Sequence, residues 1–160
     1  NGNGYALLRK GKIIEINKGV KLSVRDIAKT IRKKNYDWCI FHTRLASVGK
    51  KCDSNCHPFI RNNNEVIAMN GTENKIDFLS KPLEKTDTEL ILDVKVTYNL
   101  ELPALTHFNS IFVGFSKGKP YVVADNTYNI RLLRNVKKNA IVFASEFPES
   151  MKKNIQIRFA

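Results

Sequence analysis

The chain has 160 residues and carries 27 lysines and arginines against 15 aspartates and glutamates, a formal charge of +12. That length fits a single domain spanning residues 1–160. Its 42% hydrophobic and 26% charged content is that of a globular protein and excludes a disordered or collagenous chain. No apolar run reaches the roughly eighteen residues of a membrane span, and no apolar signal core follows Asn1. Three cysteines in so lysine-rich a chain favour reduced thiols over a disulfide framework, which points to the cytoplasm.

In chain order, residues 5–9 and 12–17 read as a hairpin turning at Lys10-Gly11. Ser23 then opens a helix, with Asp26 at the capping-box position and Val24, Ile27, Ala28 and Ile31 at helical spacing. DWCIFHT, residues 37–43, is a short apolar run of the kind that forms a strand buried on both faces, which makes Cys39 inert core. A glycine- and asparagine-spotted loop follows, then the strand EVIAMNG, and a short helix over residues 77–83. Thr86 and Glu89 make a second capping box, ahead of an apolar stripe of Leu90, Ile91 and Val94. SIFVGFSKGKPYVVAD is a hairpin about Lys117-Gly118, and NAIVFASE and IQIRFA are further strands. Adjacent hairpins with covering helices predict an α+β architecture of antiparallel sheets. No glycine-rich phosphate loop of either common type is present, so nucleotide-binding folds lose support.

The basic charge is scattered in pairs, Lys33-Lys34, Lys50-Lys51, Lys137-Lys138 and Lys152-Lys153 among them. Without a block of basic residues or interleaved aromatics it reads as a solvated surface, and a nucleic-acid role is the most distant alternative.

The densest chemistry lies in FHTRLASVGKKCDSNCHPFI, residues 41–60. Cys52, Cys56 and His57 could begin a zinc site, but no second ligand pair follows and His107 stands alone, so no metal is expected. Cys56 beside His57 could form a thiolate and base, yet neighbours on an extended strand point to opposite faces. The third reading is a polar substrate site. Arg44 ends a strand, where its fork of donors suits a carboxylate. Asn70 and Gly71 end the next and can converge on an oxyanion. Asp87 at a helix start can hold an ammonium group. Together these describe a site for an α-amino acid undergoing acyl chemistry.

HTRLASVG, seven intervening residues, HPF, then NG and TDTE resembles the class II glutamine amidotransferases, whose nucleophile is an amino-terminal cysteine. The likeness runs from about Gly4 to Glu146. It implies a four-layer αββα sandwich of two antiparallel sheets, and hydrolysis of the glutamine side-chain amide to glutamate and ammonia without cofactor or metal. L-Glutamine is the implied ligand, an ammonia-accepting synthase the implied partner. Carried onto this sequence, Arg44 binds the α-carboxylate, Ser47 and His57 line the glutamine loop, Asn70 and Gly71 form the oxyanion hole, and Asp87 binds the α-amino group. Leu45, Val48 and Met69 depart from the usual pattern, which has an aromatic and histidines there. The resemblance also expects a first strand with the nucleophilic cysteine ahead of Asn1, about two to three dozen residues. The alternative is a glutamine-binding or regulatory module without hydrolytic activity.

Overall fold

The computed structural model describes residues 2–45, 49–124, 131–135 and 140–145. It is an α+β protein with two larger antiparallel sheets and a two-stranded ribbon. Strands β1 (Gly2–Arg9), β2 (Lys12–Gly19) and β3 (Trp38–Arg44) form the first sheet in the order β2-β1-β3. Strands β4 (Phe59–Arg61), β5 (Glu65–Asn70), β6 (Ile111–Ser116) and β7 (Lys119–Ala124) form the second in chain order. The ribbon pairs β8 (Arg131–Asn135) with β9 (Ala140–Ala144).

Alternation along β1 explains how the sheets stack. Ala6 and Leu8 point one way and join Ile40 of β3 with Val66, Ala68 and Phe115 of the second sheet. Tyr5 and Leu7 point the other way and pack on Ile27, which belongs to helix α1 (Val24–Arg32). The outer face of the second sheet presents Phe59, Ile67, Met69 and Phe112 to Ile91 and Leu92 of helix α3 (Asp87–Thr97). The apolar clusters therefore succeed one another as helix, sheet, sheet, helix. Since consecutive strand residues face opposite ways, β1, β4, β5 and β6 each serve two of these clusters.

Helices α1 and α3 both start where the sequence predicts, each capped by the expected hydroxyl. The Ser23 hydroxyl accepts from the Asp26 N–H, and the Thr86 hydroxyl from the Glu89 N–H. The hairpins about Lys10-Gly11 and Lys117-Gly118 both form, the first with a register shift between Leu7 and Leu8. Helix α2 (Asp77–Ser80) occupies the first half of the predicted short helix.

Three expectations are corrected. Strand β3 is not buried on both faces: it is the edge of its sheet, and Trp38, Cys39 and Phe41 are exposed. Cys39 is therefore not core, because α1 covers the β1 side of that face and leaves β3 bare. On α3 the buried residues are Thr88, Ile91, Leu92 and Lys95 together with Asp87 and Leu90, while Val94 is exposed. Strands β4 and β8 were not predicted. The segment IQIRFA lies outside the described residues.

A buried polar tie fixes α3 to the second sheet. Lys95 Nζ donates to Glu65 Oε2 at 2.7 Å, and the Ser116 hydroxyl donates to Glu65 Oε1 at 2.9 Å. Further along the same helix, Arg61 of β4 bridges Glu89 at 2.8 Å and Asp93 at 2.6 Å. No helix among the described residues is long and apolar enough to cross a membrane.

Candidate functional site

The strand ends carrying Arg44 and Asn70 and the start of α3 meet around a cavity of about 130 Å3. Arg44, Leu45, His57, Asn70, Gly71 and Asp87 are in its wall, with His42, Thr43, Met69, Thr86 and Thr88. Five of the six residues expected from the sequence are thus brought together. The sixth, Ser47, lies outside the described residues.

The antiparallel registers explain this convergence. Arg44 pairs with Gly2 at the last rung of the β1–β3 ladder, and Asn70 with Ile111 at the last rung of the β5–β6 ladder. Both side chains therefore leave the sandwich at the same end. The loop before β4 closes the side. Lys18 donates to the Ser54 carbonyl at 2.8 Å, and Asp53 Oδ1 accepts from the Val20 N–H at 2.8 Å. The loop lies so close to β1 that a Cβ on Gly4 would be 2.0 Å from the His57 carbonyl oxygen.

Two imidazoles hold the peptide groups of Met69. The ladder between β4 and β5 reaches Ile67, paired with Phe59. Met69, two residues on, directs its main-chain groups the same way, beyond the start of β4. There His42 Nε2–H donates to the Met69 carbonyl at 3.0 Å, and His57 Nδ1 accepts from the Met69 N–H at 3.3 Å. The rings lie 4.3 Å apart between centroids. These bonds assign both as neutral Nε2–H tautomers. Burial pushes the His42 pKa down to about 4, with the neighbouring Arg44 charge adding to the effect. Burial also takes His57 well below its ordinary value, assisted by His42, Arg44 and Lys18. Both rings are uncharged at neutral pH, which leaves Arg44 as the cation of the cavity wall.

Asp87, in the same wall, is only 7% exposed. Its Oδ1 accepts from the Thr88 N–H at 2.8 Å and its Oδ2 from the Glu73 N–H at 2.9 Å. A carboxylate has about four acceptor positions, so it retains capacity for a bound ammonium group. Glu73, itself buried, accepts from the Ser110 hydroxyl. Between these anchors Gly71 adopts φ +140°, and a Cβ there would fall 2.3 Å from Ser110 Oγ. Only glycine fits that position.

Sequence reasoning gave no role to His42, Glu73 or Ser110. His42 stands directly before the Thr-Arg pair, but nothing local shows that it reaches across to another strand. Glu73 carried a weak signal, three residues beyond Asn70 in a turn. The cysteines stay apart from the chemistry. Cys56 is buried, and neither it nor Cys52 is in the cavity wall. Among the described residues no three potential metal ligands cluster.

The cavity wall offers a guanidinium, a carboxylate and an Asn-Gly turn together, which suits a small zwitterion. Comparison with known proteins adds no constraint: no protein-family model matches the sequence, and no curated protein matches it.

Proposed function

We propose that the cavity binds L-glutamine and that the chain is the glutamine-binding domain of a class II glutamine amidotransferase, with the Ntn-hydrolase type of αββα sandwich. The observation that carries this reading is the meeting of Arg44, Asn70-Gly71 and Asp87, far apart in sequence, around one cavity. In this reading Arg44 forks onto the α-carboxylate and Asp87 takes the α-ammonium. The side-chain amide then reaches toward the Asn70-Gly71 turn. Its carbonyl oxygen gains negative charge when a nucleophile attacks the amide carbon, and the Asn70 amide and Gly71 N–H stabilise that charge. Met69, clamped by two neutral imidazoles, fixes the turn before the ligand arrives, so little reorganisation is needed during reaction.

Hydrolysis also needs a nucleophile, and no cysteine lines the cavity among the described residues. The proposal assigns that role to an amino-terminal cysteine thiolate outside these 160 residues. Its attack forms a thioester as ammonia leaves with the transferred proton, and water then releases glutamate. Ammonia would pass to a partner synthase. The lack of a cysteine in the described wall supports the second reading as well, a module that binds glutamine without cleaving it.

Calorimetry tests the binding and mass spectrometry the chemistry. The purified protein should bind L-glutamine, and Arg44→Ala should weaken that binding; a protein that binds no glutamine refutes both readings. Incubation of the full-length gene product with a diazo-ketone analogue of glutamine should add one adduct at an amino-terminal cysteine. Glutamine binding without an adduct selects the binding module.

A further inference from the structure

We propose that the end of the sandwich opposite the cavity binds single-stranded nucleic acid. The observation is a gathering of charge that the chain order conceals. The Lys10-Gly11 turn of the first sheet and the Lys117-Gly118 turn of the second touch. A Cβ on Gly118 would lie 2.6 Å from the Gly11 carbonyl oxygen and 3.1 Å from its Cα. All four turn residues have positive φ, Lys10 at 48°, Gly11 at 75°, Lys117 at 50° and Gly118 at 79°, the tight primed geometry of a two-residue hairpin. The β4–β5 turn joins them, its Asn64 carbonyl accepting from the Lys117 N–H at 3.1 Å.

This contact brings Arg9, Lys10, Lys12, Lys117 and Lys119 to one corner, although they lie more than a hundred residues apart in sequence. All five are exposed, and none makes an ion pair among the described residues. Two anions lie near them: Asp37, whose Oδ2 accepts from the Lys10 N–H at 2.6 Å, and Glu101, which shares a cavity wall with Lys117 and Lys119, so the described corner keeps a positive excess. Surface lysines that only keep a protein soluble have no reason to converge, and like charges held together repel one another. Cations gathered at one corner instead suit a polyanion such as a phosphate backbone, and counterion release then drives binding.

One aromatic group selects the single strand over the duplex. Trp38 pairs with Leu8 on β1, directly before Arg9 and Lys10, and is 38% exposed. The Asp37 N–H donates to the Leu8 carbonyl at 2.8 Å, which holds Trp38 at this same corner. Trp38 shares the face of Leu8, turned toward the second sheet, and a partly exposed indole at a cationic corner is a stacking platform for an unpaired base, which a paired base cannot reach.

Trp38 is the chain's one tryptophan, so its fluorescence reports on this corner alone. An oligothymidylate of about 20 nucleotides should quench that fluorescence. About four phosphate contacts on a single strand give a salt slope near −3, an affinity loss of about 50-fold between 50 and 200 mM salt. Lys12→Glu with Lys119→Glu, both outside the turn positions, should weaken binding at least about tenfold. Arg25→Glu with Lys29→Glu makes the same charge change on the exposed face of α1 and should alter it less than about threefold. Unchanged circular dichroism in both double variants excludes misfolding as the cause. Equal losses in the two variants would mean diffuse charge and overturn the site. Equally tight binding of polyglutamate or anionic vesicles without quenching would reassign the corner to another polyanion and overturn the nucleic-acid proposal. Absence of oligonucleotide binding overturns it outright.

Discussion

Arg44 shows how much one side chain contributes to the cavity. It is 7% exposed, and with His42 and His57 neutral beside it, its charge faces any ligand in a site shielded from water. A bidentate, charge-assisted contact removed from such a place costs about 1.5–3 kcal/mol. Arg44→Ala should therefore raise the dissociation constant for glutamine by roughly 10- to 100-fold in calorimetry. Gly71→Ala acts on the fold as well as the site. A methyl group would clash with Ser110 in a backbone region that L-residues rarely adopt, so denaturation should show a loss of about 2 kcal/mol or more. The two histidines set an acid limit. His42 is neutral in the fold down to about pH 4, whereas the unfolded chain takes up that proton near its ordinary value of 6.5. The unfolded state thus binds more protons between these values. Stability is complete above about pH 6.5 and falls as the pH drops toward 4. Denaturant titrations at pH 7.5 and pH 5 should differ by about 2 kcal/mol from His42 alone, with His57 adding in the same sense.

Helix α3 illustrates what an element can hide. Its buried face includes Thr88 and Lys95 beside Ile91 and Leu92, because one end of the helix meets the cavity and the other meets Glu65. A search for apolar spacing selects Leu90, Ile91 and Val94, of which the first two are buried and Val94 is exposed, and it passes over Thr88 and Lys95. Local rules did find the helix start, since the Thr86 hydroxyl accepts from the Glu89 N–H within one turn. The Lys95–Glu65 pair gives a direct test. Lys95→Ala leaves a buried carboxylate without its cation and should cost about 3–5 kcal/mol in denaturation. Replacing both partners together, Lys95→Met with Glu65→Leu, should recover most of that loss. The failure on β3 has a different source. Trp38 to Phe41 is apolar whether a strand lies in the middle of a sheet or at its edge, and only the pairing of strands decides which. Strand β4 has three residues, too few for any period to register.

At the scale of the whole molecule, the sequence placed the site residues by their positions at strand and helix ends. Arg44, Asn70 and Asp87 each close or open an element, and in a sandwich such ends collect at two poles. What it could not supply was which ends share a pole, because that depends on sheet registers spanning dozens of residues. The same gap concealed the basic corner, whose five cations come from two hairpins. A ligand that bridges elements at one pole stabilises the folded state by mass action. L-Glutamine at about 100 times its dissociation constant should therefore add about 2.7 kcal/mol and raise the thermal midpoint. L-Glutamate and D-glutamine at equal concentration should raise it less; an equal rise with all three would mean that neither the side-chain amide nor the stereocentre is recognised.

The peptide groups of Met69, gripped on both sides by imidazoles, bear on the protein's descent. Two residues fifteen positions apart serve the two peptide groups flanking one residue, so their substitutions should not be independent: losing one ring releases the turn, and losing the second adds less than its share. Selection then acts on His42 and His57 as a single inherited trait. A lineage that gives up one ring has little left to protect in the other, and in its descendants the two positions should be kept together or drift together.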